Sequence, residues 1–484
     1  MSVPILGRDS NFSRRAFLSQ SGMGIGSLAL SWMLQRQSSA SANDTSMAYR
    51  GLAGIPHFAP QAKRVIVLYM SGGPSQLETF DYKPQLAKHH GQTMPESITA
   101  GQPIAQLQGQ KLLAQGPMFP FAQHGASGQW ISELLPWHQK MADKICVIKS
   151  MVAEQINHDP ANTFMNTGTA ISGRPSFGAW TNYGLGCDTD NLPGFVVMTS
   201  LTKGRNPQPL ASRQWSAGFL PSRFQGVELN SVGDPVNYVR NPSGVSSKVQ
   251  RATVDAIQKL DRRQNQLERD PELETRISAF ETAFRMQTAV PELVDLSNEP
   301  KHILDLYGAT PGDGSFASNC LLARRLAERG VRFIQLYHRD WDHHDGLQKY
   351  LPTCCEDTDR ACYALLTDLE QRGMLRDTLI VWGGEFGRTP MSQSDRGNSP
   401  GRDHHIKGFS IWLAGGGVKP GMQYGATDDF GYHATVNPVP VRNLHATLLH
   451  LLGINHEELT YRFQSLDMRL TGVEPAHVVK EILF

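Results

Sequence analysis

Aspartate and histidine are concentrated in one short segment in the second half of the chain. It reads HRDWDHHD over residues 338–345, and seven of its eight residues are polar. Three histidines together with three aspartates form a composition that is typical of metal ligands. In such a segment some side chains bind the ion and others hold the ligands in place. We therefore predict a metal site in this segment.

A second segment of similar composition reads GRDHH over residues 401–405. It adds one carboxylate, Asp403, and two imidazoles, His404 and His405. These three side chains are further candidate metal ligands, because imidazole and carboxylate are common ligands of divalent ions.

Between these two segments lies GGEFGRTP, residues 383–390. Its glycines allow the backbone to approach a ligand closely, and Glu385 offers an oxygen ligand. Arg388, like Arg402 in the later segment, could clamp an anion with two hydrogen bonds. The alternative for both arginines is that they pair with neighbouring carboxylates.

An earlier segment, NHDPANTFMNTG at residues 157–168, could form a helix with polar residues on one face. His158, Asn162 and Met165 are spaced so that they share that face. The first turn would also offer free N–H groups to an anion. The segment is thus either part of a functional site or an ordinary helix cap.

The segment SGGPSQLETFD, residues 71–81, begins with a Gly-Gly-Pro turn. Asp81 could reach back from it as another metal ligand. The alternative is a turn with no further function.

Together these segments supply carboxylate, imidazole and guanidinium groups. That combination suits a divalent metal, such as Zn, Ca or Mg, facing a tetrahedral oxyanion. No GxxxxGK[ST] phosphate-binding loop occurs in the sequence, which argues against a nucleotide-driven motor.

The candidate segments follow or precede short apolar runs that have the character of buried strands. Nearly continuous hydrophobicity favours a sheet that is covered on both faces. Helical patterns that end at glycine alternate with the later runs, at 317–329, 357–372 and 441–452. We therefore predict an α/β fold with a doubly wound, mostly parallel sheet and helices on both faces. The predicted strands are Arg64–Met70, Ile145–Met151, Gly194–Thr199, Val331–Tyr337, Thr378–Trp382 and Phe409–Ala414.

The position of the candidate segments fits this fold. Ligands of open α/β sheets collect beyond the carboxyl ends of the strands. A charged helical stretch at about 246–290 interrupts the alternation, and we interpret it as a helical insertion or a lid over the sheet.

The N-terminus has the three parts of a twin-arginine export signal. Arg14 and Arg15 precede a weakly apolar run, and a small-residue cleavage site ends at Ala42. We expect residues 1–42 to be this signal and 43–484 to be a single α/β domain. The expected location is the periplasm, the cell surface or the medium; an uncut anchor is the alternative to cleavage.

Composition excludes several classes of protein. The net charge is +1, without a long basic block, so we expect no nucleic-acid partner. After residue 42 no apolar stretch is long enough to span a membrane. The six cysteines form no CxxC pair, which argues against a zinc–thiolate site, although one disulfide remains open. Those at 354, 355 and 362 are expected to be buried thiols on a helix.

The motifs resemble those of an exported bacterial family catalogued as domain of unknown function 1501. The resemblance covers nearly the whole chain. That family in turn resembles a distant branch of the alkaline phosphatase and sulfatase superfamily. The motifs that carry it, besides the twin-arginine start, are GGPSQLETFD at 72–81, WDHH at 341–344, GGEFGRTP at 383–390, GRDHH at 401–405 and LAGGGVKPG at 413–421.

The resemblance to that superfamily implies roles for some of these residues. Asp342 and His344 would bind one metal, Glu385 would stand where the superfamily has Asp, and His404 or His405 would be near its last His ligand. His158 lies ten residues before the Gly of a Thr-Gly pair, the spacing of the superfamily nucleophile. This chain departs from the pattern in two places: the nucleophile position holds His, and no Asp directly follows the first strand.

Three hypotheses follow. The first is an exported metal-dependent hydrolase of sulfate or phosphate esters, on small molecules or glycans, with Arg388 or Arg402 neutralising the transferred group and His158 as nucleophile or ligand. The second is a non-catalytic metal- or anion-binding scaffold of the same fold. The third is a component of a periplasmic or surface assembly with an exported cytochrome-like partner. Because the chain has no CxxCH motif, any haem would belong to that partner.

Overall fold

The computed structural model describes residues 49–204, 207–236, 241, 244–268, 271–393 and 399–484. The predicted export signal lies outside the described residues. The division of the chain into 1–42 and 43–484 therefore stays a prediction.

The described residues contain seventeen strands. In chain order they are β1 (Arg64–Met70), β2 (Phe121–His124), β3 (Gln129–Ser132), β4 (Cys146–Val152), β5 (Phe195–Thr199), β6 (Val227–Leu229), β7 (Phe333–His338), β8 (Thr378–Gly383), β9 (Gly387–Arg388), β10 (His404–His405), β11 (Phe409–Ala414), β12 (Met422–Tyr424), β13 (Ala426–Thr427), β14 (Ala434–Val436), β15 (Val439–Pro440), β16 (Tyr461–Phe463) and β17 (Leu466–Met468).

Twelve α-helices are found in the same residues. They are α1 (Gln76–Thr79), α2 (Pro84–Lys88), α3 (Glu96–Thr99), α4 (Pro136–Lys140), α5 (His158–Thr167), α6 (Phe177–Leu185), α7 (Ser247–Glu268), α8 (Pro271–Val294), α9 (Lys301–Tyr307), α10 (Phe316–Glu328), α11 (Leu347–Gln371) and α12 (Val441–Leu451).

One nine-stranded sheet forms the centre of the fold, in the order β12-β4-β11-β8-β1-β7-β5-β6, with β15 also paired to β4. All six predicted strands belong to it. Neighbouring strands are parallel except at β11, which is antiparallel to both β4 and β8. The predicted mostly parallel α/β sheet is confirmed.

The sheet is covered on both faces, as the continuous apolar strands predicted. On β1, Ile66 and Leu68 belong to the core that also contains residues of α10 and α11. Val65 and Tyr69 point to the other core, which contains residues of α5, α6 and α12. Burying an aliphatic side chain of this size contributes roughly 1.5–3 kcal/mol. The two cores therefore fix the sheet between two layers of helices.

Helix α11 differs most from the prediction. It begins at Leu347 rather than near residue 357, and it contains Pro352. The buried side chains of Leu347, Leu351 and Cys354 continue the apolar stripe on both sides of this proline. Tertiary packing therefore extends the helix across a residue that normally disfavours helix interiors.

The charged insertion forms two helices, α7 and α8. They run antiparallel, because Arg251 pairs with Glu281 while Gln258 contacts both Glu281 and the Ile277 carbonyl. In α8, Met286 and Val290 are buried in the same core as α10. This end of the insertion is therefore packed onto a face of the molecule.

All six cysteines are buried and unpaired, which confirms the buried thiols expected on α11 and leaves no disulfide. Among the described residues, none of the helices combines the length and the apolar character needed to cross a membrane.

Candidate metal centre

The candidate ligands meet at one edge of the sheet because of the directions of four strands. β4, β7 and β8 run the same way, so the residues that follow them emerge at the same edge. The antiparallel β11 starts at that edge, so residues just before it also lie there. This arrangement brings together His158 after β4, Asp342 and His344 after β7, and His404 before β11.

These four side chains form a compact group. One potential ligand atom from each lies within 4.8 Å of the others. Asp342 is at the centre: its Oδ1 is 3.0 Å from Nε2 of His344 and 3.2 Å from Nε2 of His404. Its Oδ2 is 3.1 Å from Nε2 of His158. Three imidazoles thus converge on one carboxylate.

Two of the imidazoles are oriented by acceptors behind them. The His404 Nδ1–H donates to the carbonyl of Ile156 at 2.8 Å. The His344 Nδ1–H donates to Oε1 of Gln393 at 2.7 Å, and the Gln393 amide is fixed because its Nε2 donates to Gln106 at 3.0 Å. In the neutral rings, both Nε2 lone pairs therefore face the group. The two Nε2 atoms are 2.9 Å apart.

His158 is held from behind by a carboxylate. Its Nδ1–H donates to Oε1 of Glu385 at 2.6 Å, and Glu385 also accepts from the backbone N–H of Gly72 at 3.0 Å. Nε2 of His158 is buried and faces Oδ2 of Asp342 at 3.1 Å. Burial opposes protonation, but Asp342 and Glu385 together raise the pKa of His158 to about 9.

Asp342 is held by partners outside the imidazoles. Nη2 of Arg388 lies 2.6 Å from its Oδ1, and the Gln208 amide donates to its Oδ2 at 2.8 Å. Burial alone would raise the pKa of Asp342, but Arg388 and the three histidines hold it well below its usual range. The carboxylate is therefore ionised and fixed in place.

Arg388 is not placed to clamp an external anion. Its side chain is fully buried and also donates to the carbonyls of Gly72, Gly73 and Arg402. Its guanidinium contacts are thus all inside the protein. Its contact with Asp342 matches the other possibility raised by the sequence, in which the arginine pairs with a neighbouring carboxylate.

Arg402 is likewise enclosed. It pairs with both carboxylate oxygens of Glu78, at 2.8 Å for the shortest contact, and both side chains have no solvent exposure. It also donates to the carbonyls of Thr389 and Gly116. Neither predicted arginine is available to neutralise a transferred group.

Several predicted site residues lie around the group of four rather than in it. Glu385 supports His158 instead of offering an oxygen to the centre. Asp403 accepts from the backbone N–H groups of Gln106 and Leu107, at 2.6 and 3.0 Å. Both carboxylates therefore already have partners.

The remaining predicted residues have other partners. His405 Nε2 contacts the carbonyl of Tyr432, and burial lowers the pKa of His405 to about 4. Asp81 contacts Thr427 and Lys83. Asn162 accepts from the Tyr69 hydroxyl at 2.6 Å, on the side of α5 that faces the sheet.

Sequence reasoning missed three glutamines that contact the group. Gln208 reaches Asp342 and Gln393 reaches His344, while Nε2 of Gln106 lies 3.3 Å from Nε2 of His344. Each comes from a loop without periodicity or motif. Only the folded chain brings them to the centre.

The residues of the group fit a divalent cation. Two imidazole nitrogens face each other with their lone pairs, and a third, the buried Nε2 of His158, is turned toward the same carboxylate. A single cation between them and Asp342 would satisfy all four ligands. The outer contacts to Glu385, Gln393 and Ile156 are the kind that orient metal-binding histidines.

Comparison with known proteins gave no match among curated proteins. Among solved structures, Ps i-CgsB in complex with k-i-k-neocarrahexaose is similar at 11% identity, over 81% of this chain and 72% of that one, with a TM-score of 0.34. A mutant of TAB5 alkaline phosphatase with Mg bound in its M3 site is similar at 12% identity, over 82% and 99%, with a TM-score of 0.32. The PsFucS1 sulfatase from Pseudoalteromonas sp. is similar at 14% identity, over 82% and 68%, with a TM-score of 0.31.

The last two are a phosphatase and a sulfatase, the kinds of protein that the sequence resemblance names, but the scores are too low for any activity to carry over. The sequence comparison is decisive on the family. The family model described as "Protein of unknown function (DUF1501)" matches residues 62–483. Since that range is most of the chain, this protein belongs to the DUF1501 family.

Proposed function

We propose that the protein binds one divalent metal ion through His158, Asp342, His344 and His404. We further propose that it is an exported hydrolase of sulfate or phosphate esters, on small molecules or glycans. The observation that carries the metal site is the convergence of three imidazoles on the Asp342 carboxylate, with two Nε2 atoms 2.9 Å apart.

The donor set favours zinc over calcium or magnesium. Imidazole suits zinc and related transition metals, whereas calcium and magnesium prefer ligand sets made of oxygen atoms. Three of the four donors here are imidazoles.

A single ion is favoured by the position of Arg388. The superfamily resemblance implies a metal-binding Asp directly after the first strand, where this chain has Met70-Ser71-Gly72. The carbonyls of Gly72 and Gly73 accept hydrogen bonds from the Arg388 guanidinium. A fixed positive charge of the protein thus lies beside the position of the missing Asp, where it disfavours a further cation.

When bound, the ion would supply Lewis acidity toward an ester oxygen. The residues of the chain prepare the site for it. Arg388 and Gln208 fix Asp342, and Glu385 holds the Nδ1 proton of His158 so that Nε2 faces the centre. This geometry favours His158 as a ligand over His158 as a nucleophile.

The second candidate is a metal-binding scaffold without catalytic activity. Four protein ligands around one ion are typical of structural zinc sites, whereas catalytic sites keep one position open. The enclosure of Arg388 and Arg402 also favours this candidate, because neither can neutralise a transferred group. The exported cytochrome-like partner stays a prediction from the resemblance.

An ester panel separates the two candidates. The protein would be produced with its own residues 1–42, recovered from the periplasm and assayed on aryl phosphates, aryl sulfates and sulfated oligosaccharides. The hydrolase proposal expects turnover that a chelator abolishes and zinc restores, and that Asp342→Asn lacks. Stoichiometric metal without turnover on any of these esters would instead support the scaffold. Failure to reach the periplasm would contradict export.

A further inference from the structure

A large cavity opens at the same edge of the sheet as the metal centre. Its volume is about 790 Å³. The segment after β5 forms one wall, and the start of α10 and one side of α11 form others. Cavities of this size are typical of sites for small organic ligands.

Two segments of the chain connect this cavity to the metal centre. Lys203 lines the cavity, and Gln208 in the same segment donates to Asp342. Asp357 also lines the cavity, and its Oδ2 is 3.4 Å from Nε2 of His338 at the end of β7. His338 in turn accepts from Nε1–H of Trp341, next to Asp342, at 3.0 Å. These contacts link the lining of the cavity to residues of the metal centre.

The charges of the cavity do not suit an anion. Its two cations are already engaged within the protein: Lys203 pairs with Asp357 at 3.0 Å, and the Arg360 guanidinium donates to the carbonyls of Asp305 and Leu306. The lining also contains the exposed carboxylate of Glu356. A sulfate or phosphate group would meet that charge without a free cation to balance it.

The rest of the lining combines flat apolar surface with hydroxyl groups. Leu134, Trp137 and Pro352 supply the apolar part, and Thr202 and Ser315 lie among the polar residues. A sugar ring presents apolar C–H faces and hydroxyls that donate to carboxylates. We propose that this cavity binds a neutral sugar unit of a glycan.

The proposal is independent of ester hydrolysis, so it is tested by binding. Chelator-treated protein would be titrated by calorimetry with five neutral tetrasaccharides: those of maltose, cellulose, xylan, mannan and galactan type. We expect at least one to bind. Glu356→Ala should weaken that binding by tenfold or more, and Thr202→Trp, which fills the cavity, should abolish it.

Two matched variants control for unspecific effects. Glu133→Ala removes an exposed carboxylate near the cavity that does not line it, and Thr460→Trp adds an indole to another partly exposed threonine. Both should bind as the native protein does. Absence of binding to all five sugars would overturn the proposal. So would binding that survives both Glu356→Ala and Thr202→Trp.

Discussion

His344 and His404 face each other with their Nε2 atoms 2.9 Å apart, while each ring donates from Nδ1 to a fixed acceptor. Two neutral imidazoles in this orientation direct lone pairs at each other, which is unfavourable without a cation or a proton between them. Asp342 places negative charge at the same point. The pair of histidines is therefore the strongest sign that the site is built for a cation.

Gln393 should control metal affinity through His344. Its side chain is fully buried and accepts the Nδ1 proton of His344. We expect Gln393→Leu to lower zinc affinity by about 10–100-fold, the usual effect of losing such an outer contact. Competition with a chromophoric chelator measures it, with the exposed Gln108→Leu as the control. Equal zinc affinities of Gln393→Leu and Gln108→Leu would contradict the contact between Gln393 and His344.

The buried pair of Arg402 and Glu78 should matter for stability and not for metal binding. Glu78→Gln leaves Arg402 as an uncompensated buried charge, so we expect the free energy of unfolding to fall by about 3–5 kcal/mol. Urea denaturation measures it. The exposed pair of Arg462 and Asp467 is the control, and Asp467→Asn should cost about 0–1 kcal/mol. Similar costs for both variants would show that the buried pair is not formed.

Asp403 should hold a loop rather than an ion. Its carboxylate accepts from the backbone of Gln106 and Leu107, close to the exposed Lys111. We expect Asp403→Ala to speed tryptic cleavage after Lys111 severalfold, because the loop loses its two anchoring hydrogen bonds. The control is the exposed Asp429→Ala. Unchanged cleavage would contradict this function of Asp403.

His445 should make stability depend on pH. Burial lowers its pKa to about 4, although it donates to the Met165 carbonyl. The unfolded chain therefore binds this proton first as the pH falls below about 6.5, and the native state loses up to roughly 1.4 kcal/mol per pH unit down to about pH 4.

The test compares the native protein with His445→Gln by urea denaturation between pH 7 and pH 4.5. The difference in unfolding free energy between them should shrink as the pH falls. His302→Gln, at an exposed position, is the control that removes an imidazole from the surface. A constant difference for His445→Gln across this range would contradict a neutral, buried His445.

The sheet was largely predictable because continuous apolar runs identify buried strands without any knowledge of their partners. The direction of β11 was not predictable, because the apolar run FSIWLA would look the same in a parallel and in an antiparallel strand. Because β11 is antiparallel to β4 and β8, the GRDHH segment that precedes β11 lies at the same edge of the sheet as the segments that follow β4 and β8. The N-terminal part of α11 was not predicted, and it contains Pro352, which only tertiary packing makes compatible with a helix interior.

The site was predictable in its composition and less so in its contacts. Asp, His, Glu and Arg near strand ends have the same sequence signature whether they bind an ion or each other. What separates Asp342 from Asp403 is the partner of each carboxylate, and these partners come from distant parts of the chain. Arg402 and Glu78, for example, are 324 residues apart in sequence.

The most direct test of the account is the metal content of the native protein, Asp342→Asn and Asp403→Asn, each recovered folded and analysed by elemental mass spectrometry. Both variants remove one carboxylate from a predicted ligand segment, but only Asp342 lies in the group of four. We predict about one equivalent of a transition metal in the native protein and in Asp403→Asn, and none in Asp342→Asn. Native protein without metal, or equal metal in all three proteins, would contradict the proposed centre.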